Sequence, residues 1–279
     1  MSAGPDRIAF VRQPGSRGIL WLRQAFAMLK AARAQWLSLV LAFYFVQLVV
    51  GLIPYAGPIA MMVLRPVFTV GFLAAAWTQE RGGAPSIRHL ARGFRANLGA
   101  LIPIGVFLLV GTLVAVLASM PFDGGALVDA IKSTEPADEA LPNPKVQLGM
   151  LASIVFALPV VAAAWFAPAL VVFNNCGTAR ALATSLRAVI ANWKPLAVYG
   201  LIVALYGAVF PAMGIALIAA LLPEAAARIA VVLTIVPYVF IFITVQTISD
   251  YVSYRDIFHP DEGAPIADAP DPGAGSGTQ

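Results

Sequence analysis

Residues 166–199 read FAPALVVFNNCGTARALATSLRAVIANWKPLAVY. The apolar run ending at Phe173 has the composition of the end of a membrane span, and Asn174, Asn175, Cys176 and Gly177 then read as a turn. From 178 to 191, Arg180, Thr184 and Arg187 fall on one side at helical spacing and Leu182, Leu186 and Val189 on the other, which predicts a basic amphipathic helix. Pro195 opens the next apolar run. Span, basic connector, span is the order against which the rest of the chain is read.

Of 279 residues, 60% are hydrophobic and 11% charged, where a soluble domain carries about 25% charge. The mean hydropathy of +0.83 excludes a water-soluble globule. The apolar residues gather into runs near 20 long, the length that crosses about 30 Å of hydrocarbon as a helix, and not into the short alternating segments of a β-barrel. The predicted fold is all-α and polytopic, with six transmembrane helices at about 36–53, 59–78, 100–119, 148–173, 195–222 and 229–249. The span at 148–173 is long enough to need a tilt or bend, which Pro159 and Pro168 can supply.

Two further connectors share the basic amphipathic pattern. In 19–33, Ile19, Leu22, Phe26 and Leu29 form one face, with Arg23 and Lys30 off it. In 87–97, which follows the break at Gly82, Gly83 and Pro85 and a candidate N-cap at Ser86, the apolar face is Ile87, Leu90 and Phe94 and the polar face Arg88, Arg92 and Arg95. Residues 1–18 read as a flexible basic N-terminus, 19–258 as the membrane domain, 120–147 as the longest loop with five acids and two lysines, and 259–279 as a disordered acidic tail.

Orientation follows from the basic residues. Fourteen of the eighteen Lys and Arg lie on the side holding both termini and all three connectors; Lys132, Lys145 and Arg228 lie on the other, and Arg65 lies inside the second span. The asymmetry puts both termini in the cytoplasm. The basic pI near 9.4 is accounted for by span borders and anionic lipid, so no nucleic-acid partner is expected.

Arg88, Arg95 and Pro103 are spaced seven and eight apart, as are Arg180, Arg187 and Pro195, and Arg23 and Lys30 repeat the basic pair. An ungapped slide of 92 residues also matches Leu90 with Leu182, Ala91 with Ala183 and Ala96 with Ala188. This predicts three parallel tandem units, each an amphipathic helix followed by a two-span hairpin. At the membrane surface each connector would sink its apolar side chains and offer its arginines to lipid phosphates, at about 1 kcal/mol per basic residue. Arg23, Lys30, Arg88, Arg92, Arg95, Arg180 and Arg187 are therefore candidate headgroup contacts. The plainer reading is that the connectors only set topology.

Arg65 is the one charge inside a span, about 9 Å from its outer end at 1.5 Å per residue. It either snorkels outward, with Asp123 or Glu224 as possible ion partners, or lines a polar cavity. No Asp, Glu, Lys or His falls within the predicted spans, which disfavours a proton relay. Glu80 and Asp250 sit at cytoplasmic span ends, where capping or pairing with arginine is expected. One cysteine and two distant histidines offer no disulfide and no metal cluster, and no phosphate-binding or dinucleotide fingerprint is present, so no cofactor and no enzyme is expected. The five tryptophans mostly mark interfaces, and Gly105, Gly111, Gly200, Gly207 and Gly214 permit close helix packing.

Phe166-Ala-Pro168-Ala-Leu-Val, with Ala181-Leu182, Ser185, Ala188, Asn192-Trp193 and Pro195, resembles the YciC-type family of six-span bacterial inner-membrane proteins and the membrane domain that accompanies some glycerophosphodiester phosphodiesterases. Trp36 and the Pro66, Phe68, Gly71 run resemble that family's first half. The resemblance implies a membrane domain without catalytic residues. The expected function is a non-enzymatic inner-membrane protein engaging lipid or a membrane partner; the alternative is a passive carrier or channel for a small or lipidic solute. A phosphatase fused after residue 135 should be active and one fused after residue 185 inactive; the reverse pattern would overturn the topology.

Overall fold

In hydrocarbon every backbone N–H and C=O must pair within the protein, and a helix does this within one segment. The computed structural model of the chain describes residues 8–133 and 143–260, and among them all regular structure is helical. Short α1 (Arg17–Ala31) precedes α2 (Arg33–Gly51) and α3 (Ala56–Glu80), and a 3₁₀ segment (Ile87–Arg95) leads into α4 (Leu98–Asp123). After α5 (Ala126–Lys132) come α6 (Pro144–Trp165), α7 (Ala167–Phe173) and α8 (Thr178–Ala191). Then α9 (Trp193–Ala204) runs through a π-helical turn (Leu205–Val209) into α10 (Phe210–Leu221), and α11 (Glu224–Phe258) closes the chain. Six of these stretches are long and apolar enough to cross a membrane: α2, α3, α4, α6 with α7, α9 with α10, and α11.

Several boundaries differ from expectation. The described part of the acidic loop at 120–147 is mostly helix: α4 continues to Asp123, α5 follows, and α6 starts at Pro144; Glu135, Asp138 and Glu139 lie outside the described residues. Asp123 explains the continuity, because its carboxylate accepts the Gly125 and Leu127 N–H groups at 2.8 and 2.9 Å and starts α5. Helix α11 has 35 residues against an expected span of 229–249. At about 1.5 Å per residue it is roughly 52 Å long, so several turns project beyond a hydrocarbon core of about 30 Å. The expected acidic tail, 259–279, lies outside the described residues from 261 on.

The chain divides into two compact units. Unit one joins the chain up to Val46 with Gly71–Arg92 and everything from Ala191; unit two joins Gln47–Val70 with Gly93–Ile190.

In unit one, α1 packs on α9 and α11. A Cβ on Gly18 would stand 2.3 Å from the Pro195 carbonyl oxygen, so only glycine permits this approach. The buried face of α1 is Gly18, Trp21, Ala25, Met28 and Leu29, rotated from the expected face: Ile19 and Phe26 are exposed. The N-terminal segment expected to be flexible is held from residue 10 on. Val11 N–H donates to Ile257 O at 2.9 Å, Gln13 N–H to Asn192 Oδ1 at 2.7 Å, Asn192 Nδ2 to Val11 O at 3.0 Å, and Phe10 meets the Phe258 ring edge-on. Residues 1–7 lie outside the described part.

In unit two, α4 lies against α3 and α6. Gly105 packs on the Val63 carbonyl and Gly111 on Val160, whereas Gly200, in unit one, meets no neighbour. The chain passes through Pro159 without a break and interrupts instead between α6 and α7, at Phe166. Pro168 has no N–H, and the helical bond from Phe166 N–H to Ala162 O is replaced by a bridge through Ser185. The Ser185 hydroxyl accepts from Phe166 N–H at 3.0 Å and donates to Ala162 O at 2.9 Å. Thr184 and Ser185 are buried with Ala181 and Ala188, so Thr184 belongs to the packing face of α8 and not with the arginines. Ser185→Ala leaves both bridged groups unpaired and should lower stability by about 1–3 kcal/mol, read as a lower unfolding midpoint in detergent.

Candidate functional site: the arginine-bearing ends of the helices

The extension of α11 carries Arg255 and Asp256 into a buried polar cluster of unit one, 8% and 5% exposed. Arg255 pairs with Glu80 and donates a second bond to Gln24 Oε1 at 3.0 Å; Glu80 also accepts the Tyr251 hydroxyl. Asp256 accepts both nitrogens of the Arg17 fork and the Trp21 indole N–H, the latter at 2.7 Å. The hydrogen bond to Asp256 pushes the Arg17 guanidinium above its ordinary value. Two opposite pairs side by side are neutral overall, which is what makes burial of four charges tolerable. Alongside, Gln79 donates to Met28 O at 2.8 Å and accepts Trp36 Nε1 at 2.6 Å, tying α1, α2 and α3 together. Glu80 thus pairs with arginine, as expected. The identity of its partner was not readable, because the two residues are 175 apart.

The cluster's carboxylates and guanidinia are committed to one another. It is a staple. His89, set aside in the sequence because its fellow is distant, turns out to be buried as a second staple. Its Nδ1 accepts the Ser86 N–H at 3.0 Å, and its Nε2 lies 3.1 Å from the Thr78 hydroxyl, which donates to Ala74 O. These contacts clamp the 3₁₀ segment on α3. Cys176 is buried with its thiol directed at Leu170 O, and burial pushes its pKa up, which opposes nucleophilic use. The turn around it is tight, with Asn175 in the left-handed region at φ 48°.

Every candidate headgroup contact is exposed: Arg23, Lys30, Arg88 and Arg92 in unit one, Arg95, Arg180 and Arg187 in unit two. Lys30 lies over the Phe26 ring at 4.9 Å. The connector at 87–97 differs from expectation in pitch. As a 3₁₀ helix it places residues three apart in one row, so Arg92 and Arg95 align and Arg88 does not share a face with Arg95. Ile87 and Phe94 are exposed and only Leu90 of the expected apolar face is buried. Arg65 is exposed too. Of the two expected partners, Asp123 is committed to α5, and Glu224 pairs with Arg228. Among the described residues no three His, Cys, Asp or Glu come together.

The chain is similar to a Burkholderia thailandensis protein named "Probable inner membrane protein", 26% identical over 257 residues, covering 89% of this chain and 93% of that one. No family profile matches the chain, and no solved structure matches it. That relative and the six apolar helices make this a multi-pass inner-membrane protein. Glu80→Ala strands Arg255 and should reduce stability by about 3–5 kcal/mol. The apolar pair Glu80→Met with Arg255→Met should recover most of the loss, measured by thermal unfolding in detergent.

Proposed function

We propose that this protein is non-enzymatic and engages the anionic headgroups of the cytoplasmic leaflet, through three connectors lying in the interface with both termini inside. One observation carries the reading: basic and large apolar side chains are exposed together on each connector. Ile19 and Phe26 accompany Arg23 and Lys30; Ile87 and Phe94 accompany Arg88 and Arg95; Ile190 accompanies Arg187. Water disfavours that combination, and the headgroup–acyl boundary suits it. The tandem-unit reading is supported by equivalent docking. Gly93 abuts the Val67 carbonyl beside Pro66, and Ser185, 92 residues on, bridges the break beside Pro168. In this reading the residues behind the YciC-type resemblance are structural: Ser185 bridges a helix break, Ala188 is buried and Asn192 anchors the N-terminal segment.

The second reading is a passive route for a small or lipidic solute. Arg65 on α3 favours it, exposed and without an ion pair among the described residues, because a guanidinium in the depth of a span needs water or phosphate beside it. The deciding measurement is lipid co-purification. The Arg88→Ala/Arg95→Ala/Arg187→Ala variant should retain several-fold less phosphatidylglycerol and cardiolipin than the wild type. Equal retention would end the lipid reading.

A further inference from the structure

Unit two contains a groove of 490 Å³ between α4 and α6. Pro103, Val110, Val114 and Ala118 of α4 and Phe156 and Val160 of α6 line it, all apolar. From Pro103 to Ala118 it follows α4 for roughly 22 Å at about 1.5 Å per residue, longer than one leaflet's half of a core of about 30 Å. Its two ends differ in charge. At the Pro103 end, Arg95 stands just before the cap of α4, where Asn97 accepts the Ala100 N–H. Thr178 donates to Ala100 O at 3.0 Å and docks the start of α8, with Arg180, on the same turn. Both arginines are exposed. The positive ends of the α4 and α8 dipoles add to this field. Of the described carboxylates of unit two, Asp123 is the last residue of α4 and Asp129 follows in α5, both at the end of α4 away from Pro103. An apolar groove whose Pro103 end lies at the same end of α4 as the segments bearing Arg95 and Arg180, with the described acids of its unit at the other end, has the charge and shape complement of a phospholipid.

We infer that unit two binds one anionic phospholipid from the leaflet on the arginine-bearing side, its phosphate between Arg95 and Arg180 and an acyl chain along the α4–α6 groove. This rests on the headgroup-engaging reading above and gives it a site. Phosphatidylglycerol pairs with the guanidinia without a competing ammonium; zwitterionic phosphatidylcholine does not.

The test is native mass spectrometry of the full chain in detergent, titrated with phosphatidylglycerol and separately with phosphatidylcholine. The wild type should take up one phosphatidylglycerol at least fivefold more tightly than phosphatidylcholine. Arg95→Gln/Arg180→Gln should abolish the preference. Val114→Trp/Ala118→Trp, which fills the groove, should lose the bound lipid while keeping the wild-type unfolding midpoint. If the filled groove still holds phosphatidylglycerol, the site is wrong and headgroup binding at the surface survives. If the wild type shows no preference, both ideas fall. Should the double Trp variant not fold, Val114→Trp alone, at an exposed position, is read by fluorescence. Acyl-brominated phosphatidylglycerol should quench it several-fold more than brominated phosphatidylcholine at equal mole fraction, and equal quenching would overturn the site.

Discussion

A polar group that leaves water in this chain has to carry its partner with it, and the architecture follows from that constraint. Inside the spans the backbone satisfies itself helically, and each departure from the helix is repaired by a specific side chain or turn. Where Pro168 interrupts the ladder, a hydroxyl from another helix enters the gap. Where Pro211 leaves the Gly207 carbonyl without its usual donor, the backbone widens into a π-helical turn, and the Tyr238 hydroxyl bonds the Tyr206 carbonyl at 2.6 Å. The ionised groups of unit one obey the same rule. Glu80, Arg255, Asp256 and Arg17 are mutually paired, with Tyr251, Trp21 and Gln24 taking up remaining bonding capacity.

That constraint sorts the charged residues into two populations. The buried ones are neutralised internally and hold α1, α3 and α11 in register. The exposed arginines and lysines of the connectors lie in segments that also expose apolar side chains. The division separates scaffold from candidate function: the first population makes the shape, and the second carries the proposed headgroup contacts. The α4–α6 groove lies in unit two, as do Arg95, Arg180 and Arg187 of that second population.

Much of this was legible from residue types. Span number and approximate position follow from run length and charge spacing, since hydrocarbon thickness sets helix length. The basic pattern of the connectors was readable for the same reason. Burial was less legible. On α1 the periodicity Ile19, Leu22, Phe26, Leu29 is genuine, but in a membrane protein lipid rewards an apolar face as readily as a neighbouring helix does, so periodicity could not say which face packs on protein. On α8 the packing face is Ala181, Thr184, Ser185 and Ala188, small residues that let helices approach and that no hydropathy pattern singles out.

The chain's own residues therefore determined its solvent, its six crossings and the placement of basic residues on its connectors, because these depend on local composition summed over a bilayer's thickness. Only the tertiary structure decided that Arg255 belongs to Glu80, that Asp123 starts a helix and leaves Arg65 without it, that Ser185 mends a broken span and that an apolar groove opens between α4 and α6. Those are meetings of residues far apart in the chain, set by helix packing, and local sequence carries no record of them.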